Sequence, residues 1–138
     1  MNNCIFCKIA AGDIPAHIIY EDDVVISFVD LSQATTGHVL IIPKTHVQDI
    51  FDLSDELAGE VFKRVPRIAR AIEKAFPTII GLNVVNNNRE GAGQSVFHSH
   101  IHLIPRYEDD DFEIKFIDHS ETADHAQIAE KIKEALAL

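Results

Sequence analysis

The sequence has 138 residues, 46% hydrophobic and 25% charged, which is typical of a globular protein with one domain and a buried core. Its formal net charge of −10 argues against a general nucleic-acid binder, because affinity for phosphate backbones depends on clustered Lys and Arg. No apolar run is long enough to span a bilayer, and the opening MNNCIFCKIA lacks the features of a signal peptide, so we expect a cytoplasmic protein that does not contact membranes.

Three short apolar segments in the first part of the chain are typical of strands. They follow a turn signal, GDIP at residues 12–15. The segments are Ile18–Tyr20, Val24–Val29 and Val39–Ile42, and polar or glycine-containing stretches separate them. Their length and their content of β-branched residues predict strands, the third of which ends at Pro43.

The middle of the chain, from Ser54 to Phe76, predicts one long helix. Ser54 suits the N-cap, and acidic residues follow it at the positive end of the helix dipole. Pro66 lies inside the pattern and predicts a kink, and Pro77 ends the helix. Apolar residues recur at helical spacing, namely Leu57, Val61, Val65, Ile68, Ile72 and Phe76.

Two further strands and a second helix are predicted in the remaining sequence. The strands are Gly81–Asn87 and Val96–Ile104, and the turn-rich stretch NNNREGAGQS overlaps the end of the first and leads towards the second. An amphipathic helix is predicted from Thr122 to Leu138. Because strands occur in runs around one long helix, without regular βαβ alternation, we expect an α+β fold with a mainly antiparallel sheet.

Three histidines alternate in HSHIHLIPR, at His98, His100 and His102. In a strand, this spacing places the three imidazoles on one face. Such a row can be part of a solvated strand, a three-histidine metal site, or a nucleophile with neighbours that move protons. The preceding Gly91–Ser95 stretch favours the nucleophile, because its backbone N–H groups and hydroxyl are neutral donors suited to phosphoryl oxygens.

The two cysteines form a Cys4-x-x-Cys7 pair. A structural disulfide is not expected in a reducing cytosol. The spacing is that of half a zinc site, which requires two more ligands. A redox pair and two free buried cysteines are the alternatives, although the βαβ unit usual for a redox pair is missing.

The stretch GQSVFHSHIHLIPR resembles the signature of the histidine triad (HIT) family, in which three histidines alternate with apolar residues. Upstream, FVDLSQATTGHVLIIPKTH resembles the block of that family that ends in Pro-Lys-x-His. The resemblance runs from Ile5 to about Tyr107, and Ser99 departs from it because the family has an apolar residue there. It implies a HIT-like fold with a five-stranded sheet, one kinked helix and a C-terminal helix. We expect a single domain over residues 1–138, with a core of about 4–107 and an extension of 108–138.

The resemblance implies a nucleotide site and a role for each matching residue. His100 would attack the α-phosphorus, His102 would contact the phosphate and transfer a proton, and His98 would orient the nucleophile. Asp30 aligns with the ribose-binding acid. Gly93, Gln94, Ser95 and Asn87 align with the phosphate site, and Ile5, Phe6, Ile9 and Phe28 align with the apolar wall of the base pocket.

The implied reaction is hydrolysis of purine nucleoside phosphoramidates or dinucleoside polyphosphates through a nucleotidyl-histidine intermediate. The alternatives are a nucleotide-binding regulatory module with vestigial catalysis and a three-histidine metallohydrolase. The resemblance also implies a homodimer, formed through the helix and an edge strand, and no organic cofactor. It implies a structural zinc ion on Cys4, Cys7, His46 and His98, although spacing alone does not favour His46 over His17 or His38.

Overall fold

In the computed structural model, which describes residues 3–137, five strands form one antiparallel sheet. They are β1 (Ile18–Glu21), β2 (Val25–Val29), β3 (Val39–Pro43), β4 (Gly81–Val85) and β5 (Ile101–Arg106). Their order in the sheet is β1-β2-β3-β5-β4, so β1 and β4 are the edge strands. The predicted fold class is confirmed.

The first helix, α1 (Ile5–Ala10), was not predicted from the sequence. Its N-cap is Cys4, whose Sγ accepts a hydrogen bond from the Cys7 N–H at 3.3 Å. Phe6 and Ile9 are buried against the sheet. With only six residues, the helix is too short to show a clear hydrophobic period.

The long helix predicted from 54 to 76 is divided into two helices, α2 (Asp55–Phe62) and α3 (Val65–Ala75). Ser54 is the N-cap of α2 as predicted, and its side chain accepts from the Leu57 N–H at 3.1 Å. The break lies at residues 63–64, just before Pro66, because proline has no N–H to continue the helical ladder.

The sheet buries apolar side chains on both faces, since neighbouring residues of a strand point to opposite sides. Helices α2 and α3 cover one face, which we call the helix face, and α1 packs on the other, the cleft face. The helix-face core consists of Val25, Val39, Ile41, Val61, Val65, Ile68, Ile72, Ile101 and Leu103. The cleft-face core consists of Phe6, Ile9, Ile26, Phe28, Leu40 and Ile42.

The C-terminal helix, α4 (His125–Leu136), begins at its N-cap Asp124, and the predicted last residue, Leu138, lies outside the described residues. None of its described side chains is buried. At the root of the tail, Arg106 Nη2 binds Asp110 Oδ1 at 2.9 Å and its Nη1 binds Asn83 Oδ1 of β4 at 2.8 Å. Across residues 3–137, no helix is both long and apolar enough to cross a membrane.

Candidate active site

A cleft of about 710 Å³ opens on the cleft face. Helix α1 contributes Ile5, Phe6 and Ile9, while Phe28 of β2 and the next-but-one residue Asp30 form another side. The Phe6 and Phe28 rings pack edge to face with centroids 5.5 Å apart. The structure thus brings together the residues that the resemblance assigned to the base and ribose. Further lining residues are Ile14, Pro15, Ala16, His17, Val29, Leu31, Ser32, Leu40, Ser95, Val96, His100 and His102.

The triad histidines lie in one row on this face, but only His102 belongs to a strand. The strand predicted over 96–104 begins at Ile101, so His98 and His100 lie in the segment that leads into β5. The Phe6 ring contacts both imidazoles edge-on, with centroids 6.0 Å from His98 and 5.2 Å from His100. The His100 and His102 centroids are 5.1 Å apart.

The His100 imidazole is held with a defined tautomer. Its Nδ1 lies 2.8 Å from the carbonyl oxygen of His98, to which it can only donate, so the proton is on Nδ1 and the Nε2 lone pair is free. Asn86 Nδ2 donates to the His100 carbonyl at 2.8 Å and fixes the backbone. Burial lowers the pKa of His100, which favours the neutral form. A neutral imidazole with a free lone pair is a nucleophile.

His38, which sequence reasoning did not place in the triad, sets the tautomer of His102. The Ala34 N–H donates to His38 Nδ1 at 3.1 Å, so the His38 proton is on Nε2. That Nε2 lies 2.9 Å from His102 Nδ1 and 3.3 Å from Asp30 Oδ2. His102 Nδ1 is therefore an acceptor, and the proton of His102 is on Nε2.

Burial, followed by the proximity of His100 and His38, lowers the pKa of His102 to about 4. The neutral ring thus offers an N–H donor next to the lone pair of His100. The sequence signal for His38 was weak. It lies two residues before Leu40, which pairs with His102, and this relation becomes visible only once β3 and β5 are aligned.

A metal ion bound by all three triad histidines does not fit this arrangement. Both nitrogens of His98 are directed elsewhere, with Nε2 at 2.8 Å from the Pro43 carbonyl oxygen and Nδ1 beside the cysteines. His100 Nδ1 is bonded to a carbonyl. Asp30, His38 and His102 also bring three potential ligand atoms together. However, His38 Nε2 carries a proton. To bind a metal, that proton would have to move to Nδ1, which would break the hydrogen bond that Nδ1 accepts from the Ala34 N–H.

The glycine-containing loop contributes Ser95 and Val96 to the lining of the cleft, whereas the predicted site residues Asn87, Gly93 and Gln94 are not among the lining residues. Ser95 is exposed and lines the cleft. Gly93 has φ of +96°, a left-handed conformation that favours glycine, and the Asn87 side chain lies next to it. Gln94 is only 3% exposed, and its side-chain amide is bonded to backbone groups instead of facing the cleft.

A second cluster joins α1 to the triad. The ligand atoms of Cys4, Cys7, His46 and His98 all lie within 4.8 Å of one another. Cys7 Sγ is 3.2 Å from His46 Nδ1, and Cys4 Sγ is 3.4 Å from His98 Nδ1. Sulfur and nitrogen ligands of a tetrahedral zinc ion are separated by roughly 3.5 Å. The two thiolates and two imidazoles therefore fit zinc in identity, number and spacing.

The hydrogen bond from His98 Nε2 to Pro43 prepares His98 for a ligand role. Because a carbonyl can only accept, Nε2 carries the proton and the Nδ1 lone pair faces the cysteine sulfurs. His98 thus belongs to the cluster through its ring and to the triad through its carbonyl, which binds His100.

Comparison with known proteins identifies relatives over most of the chain. Residues 11–109 match the family described as HIT domain. Protein hit of Bacillus subtilis (strain 168) is 60% identical over 105 residues, which are 76% of this chain and 72% of the relative. Adenosine 5'-monophosphoramidase hnt1 of Schizosaccharomyces pombe is 38% identical over 104 residues, which are 75% of this chain and 74% of that protein.

Solved structures share the fold. A member of the HIT family from Bacillus subtilis has a TM-score of 0.88 and 50% identity, covering 98% of this chain and 95% of its own. A Zn-bound histidine triad family protein from Mycobacterium smegmatis has a TM-score of 0.76 and 37% identity, covering 88% of both chains. From the family match, the relatives and the alternating histidines in the cleft, we conclude that the chain belongs to the histidine triad (HIT) family.

Proposed function

We propose that this protein is a nucleotide hydrolase that cleaves at the α-phosphate through a covalent intermediate on His100. The observation that carries the proposal is the tautomer of His100, whose Nδ1 is bonded to the His98 carbonyl while the ring lines the cleft. In the first step Nε2 forms a bond to the α-phosphorus, and the bond from phosphorus to the leaving group breaks. The His102 Nε2–H donates a hydrogen bond to that leaving group, which departs with a proton taken from solvent. Water then attacks the phosphorus, the bond between His100 Nε2 and phosphorus breaks and returns the lone pair to the neutral ring, and a nucleoside monophosphate and the water proton are released.

The other parts of the cleft support substrate binding in this proposal. Ile5, Phe6, Ile9 and Phe28 form an apolar slot that suits a purine base. Asp30 lines the cleft, and in this proposal its carboxylate accepts from ribose hydroxyls, while its Oδ1 also accepts from the Ser32 N–H at 2.9 Å. In this proposal Ser95, which lines the cleft, donates to the phosphoryl oxygens together with the adjoining backbone at Gly93 and the Asn87 side chain beside it, because such donors stabilise the charge of the transition state.

We further propose that the Cys4, Cys7, His46 and His98 cluster binds zinc. All four positions are ligands, so the ion supplies a structural cross-link with no open position for catalysis. It joins the start of α1, which forms the base pocket, to the triad segment. The relative described as Zn-bound has the same fold.

Charge favours a substrate with one phosphoryl group over a polyphosphate. Among the described residues that line the cleft, none is Lys or Arg, and the chain carries a net charge of −10. A dinucleoside tetraphosphate would bring several negative charges to this surface, whereas a nucleoside phosphoramidate brings one. A relative with 38% identity is described as an adenosine 5'-monophosphoramidase, which agrees with a substrate of this kind.

A substrate panel tests this proposal. We expect kcat/KM for adenosine 5'-phosphoramidate to exceed that for diadenosine tetraphosphate by at least about tenfold, equivalent to about 1.4 kcal/mol of transition-state stabilisation. Added salt should reduce the difference in kcat/KM between the two substrates, because it screens the repulsion between the acidic protein and the tetraphosphate. Faster turnover of the tetraphosphate would contradict the charge argument, and no turnover of either substrate would contradict the proposed activity.

We also propose a homodimer in which the edge strand β4 pairs with the same strand of a second copy. β4 pairs with another strand on one side only. Val84 within the strand is 50% exposed, and Ile80, which directly precedes the strand, is 62% exposed. In α4, Ile128, Ile132 and Leu136 are all exposed, and a twelve-residue helix is marginal without packing. A second copy on this edge would provide a surface for the tail, which is rooted next to β4.

Light scattering should therefore give twice the chain mass of 15.4 kDa. We expect Val84→Lys to shift the protein towards monomer, because charged residues on an edge strand oppose pairing. Ile50→Lys, at an exposed loop position, is the control and should leave the mass unchanged. A monomeric wild-type protein at micromolar concentration would contradict this proposal.

A further inference from the structure

The side-chain amide of Gln94 is buried and bonded on both sides. Its Oε1 accepts from the Arg89 N–H at 2.6 Å, and its Nε2 donates to the carbonyl oxygens of Gln48 at 2.7 Å and Val96 at 3.0 Å. These partners define which end of the amide is the oxygen. In the flipped orientation, the NH₂ group would lie against the Arg89 N–H and the amide oxygen would lie against two carbonyl oxygens, so no hydrogen bond would form. Both N–H donors of the amide are therefore used within the protein.

The three partners of Gln94 are placed where they can control the loop of residues 89–96, which we call the phosphate loop. Arg89 begins the loop and Val96 ends it, so one amide holds its two ends together. Arg89 has φ of +74° and ψ of 158°, a positive-φ conformation that is unfavourable for a residue with a side chain. The hydrogen bond from its N–H to Gln94 helps to keep it there.

The third partner, Gln48, ties the phosphate loop to the segment that follows the cluster ligand His46. Two more bonds join the same parts of the chain. The Ile50 N–H donates to Asn88 Oδ1 at 2.7 Å, and the Ser99 N–H donates to the Val47 carbonyl at 2.6 Å. The position of the loop is thus set by residues 47–50, which lie more than 35 positions away in the sequence.

We propose that Gln94 is a positioning residue, which holds the phosphate loop so that Ser95 and the backbone around Gly93 face the phosphoryl oxygens, while its own side chain does not touch the substrate. This inference rests on the proposed function, and it replaces the phosphoryl contact that the family resemblance implied for Gln94. Ser95 is exposed and lines the cleft, whereas the neighbouring Gln94 side chain points into the protein. The two adjacent residues therefore have different tasks.

The test compares Gln94→Ala with wild-type protein and uses AMP and adenosine as probes. Calorimetry should show AMP binding weakened by about tenfold or more and adenosine binding changed by less than about twofold, because only AMP uses the phosphate loop. In the protein without ligand, NMR hydrogen exchange at the Arg89 amide should become at least about tenfold faster, because its acceptor is lost. Gln48→Ala is the matched control, since Gln48 contributes only its backbone carbonyl, and it should behave as wild type.

Two results would overturn the inference. Unchanged AMP affinity in Gln94→Ala would show that the amide does not matter for the phosphate. Weakened AMP affinity with unchanged Arg89 exchange would show a direct contact instead of positioning. If Gln94→Ala does not fold, Gln94→Glu is the second variant, because it keeps the shape of the side chain and the acceptor for Arg89 but loses both donors. In this variant too, we expect weaker binding of AMP and little change in the binding of adenosine. If wild-type protein binds AMP no better than adenosine, the proposed function fails, and the Arg89 exchange still decides whether Gln94 anchors the loop.

Discussion

His100→Ala is expected to reduce turnover of a nucleoside phosphoramidate by at least about 1,000-fold, because it removes the atom that forms the bond to phosphorus. AMP binding should change by less than about threefold, since base and ribose contacts are formed by other residues. Stopped-assay kinetics measure the first effect and calorimetry the second. Mass spectrometry of wild-type protein mixed with substrate and quenched rapidly should detect a nucleotidyl adduct on His100, and the variant should form none.

The matched control for this experiment is His119→Ala, which removes an exposed histidine of the tail. It should keep wild-type turnover. Because His100 is buried, thermal unfolding must show that the alanine variant is folded, and His100→Gln serves as a variant that fills more of the space. Near-normal turnover in a folded His100 variant would refute the assignment of the nucleophile. Tight AMP binding without any wild-type turnover would instead support the regulatory module.

The second large effect is expected from Cys4→Ser combined with Cys7→Ser. This variant should lose zinc and be destabilised by about 3 kcal/mol or more, which corresponds to a decrease in Tm on the order of 10 °C. The physical reason is that a bound ion stabilises only the folded chain, in which residues 4–7 meet residues 46 and 98. Elemental analysis of protein purified without chelators gives the metal content, and calorimetry gives the Tm.

Single histidine variants make this test specific. His46→Ala should also lose the metal, whereas His17→Ala should retain about one zinc per chain, because His17 lies outside the cluster. A chelator should lower Tm in wild-type protein and have little effect on the cysteine double variant. Wild-type protein without zinc, or a double variant that retains it, would refute the proposed metal site.

Much of the fold was predictable because the relevant signals are local. The strands are short β-branched segments between turn residues. Ser54 caps α2 by accepting from the Leu57 N–H, only three residues further along the sequence. The row of imidazoles follows from the two-residue repeat of an extended chain. This holds even though two of the three histidines precede the strand, because extended segments alternate like strands.

The parts that could not be predicted depend on contacts between distant residues. Helix α1 is too short for a periodic signal and begins at a cysteine, an unusual N-cap. The tautomer of His102 depends on His38, which is 64 residues away. The orientation of Gln94 depends on the Gln48 carbonyl, 46 residues away. The sequence therefore identified residue types suited to phosphate chemistry, but not which of their side chains face the cleft.

His98 is shared by two sites, since its ring faces the cysteine cluster and its carbonyl holds the proton of His100. A substitution that moves His98 in one site is therefore expected to change the geometry of the other site. Loss of both cysteines would leave Nδ1 of His98 without its partner, and rotation of that ring would move the carbonyl that accepts from His100 Nδ1. Substitutions at positions 4 and 7 would therefore need new packing around position 98 to keep His100 in its present orientation.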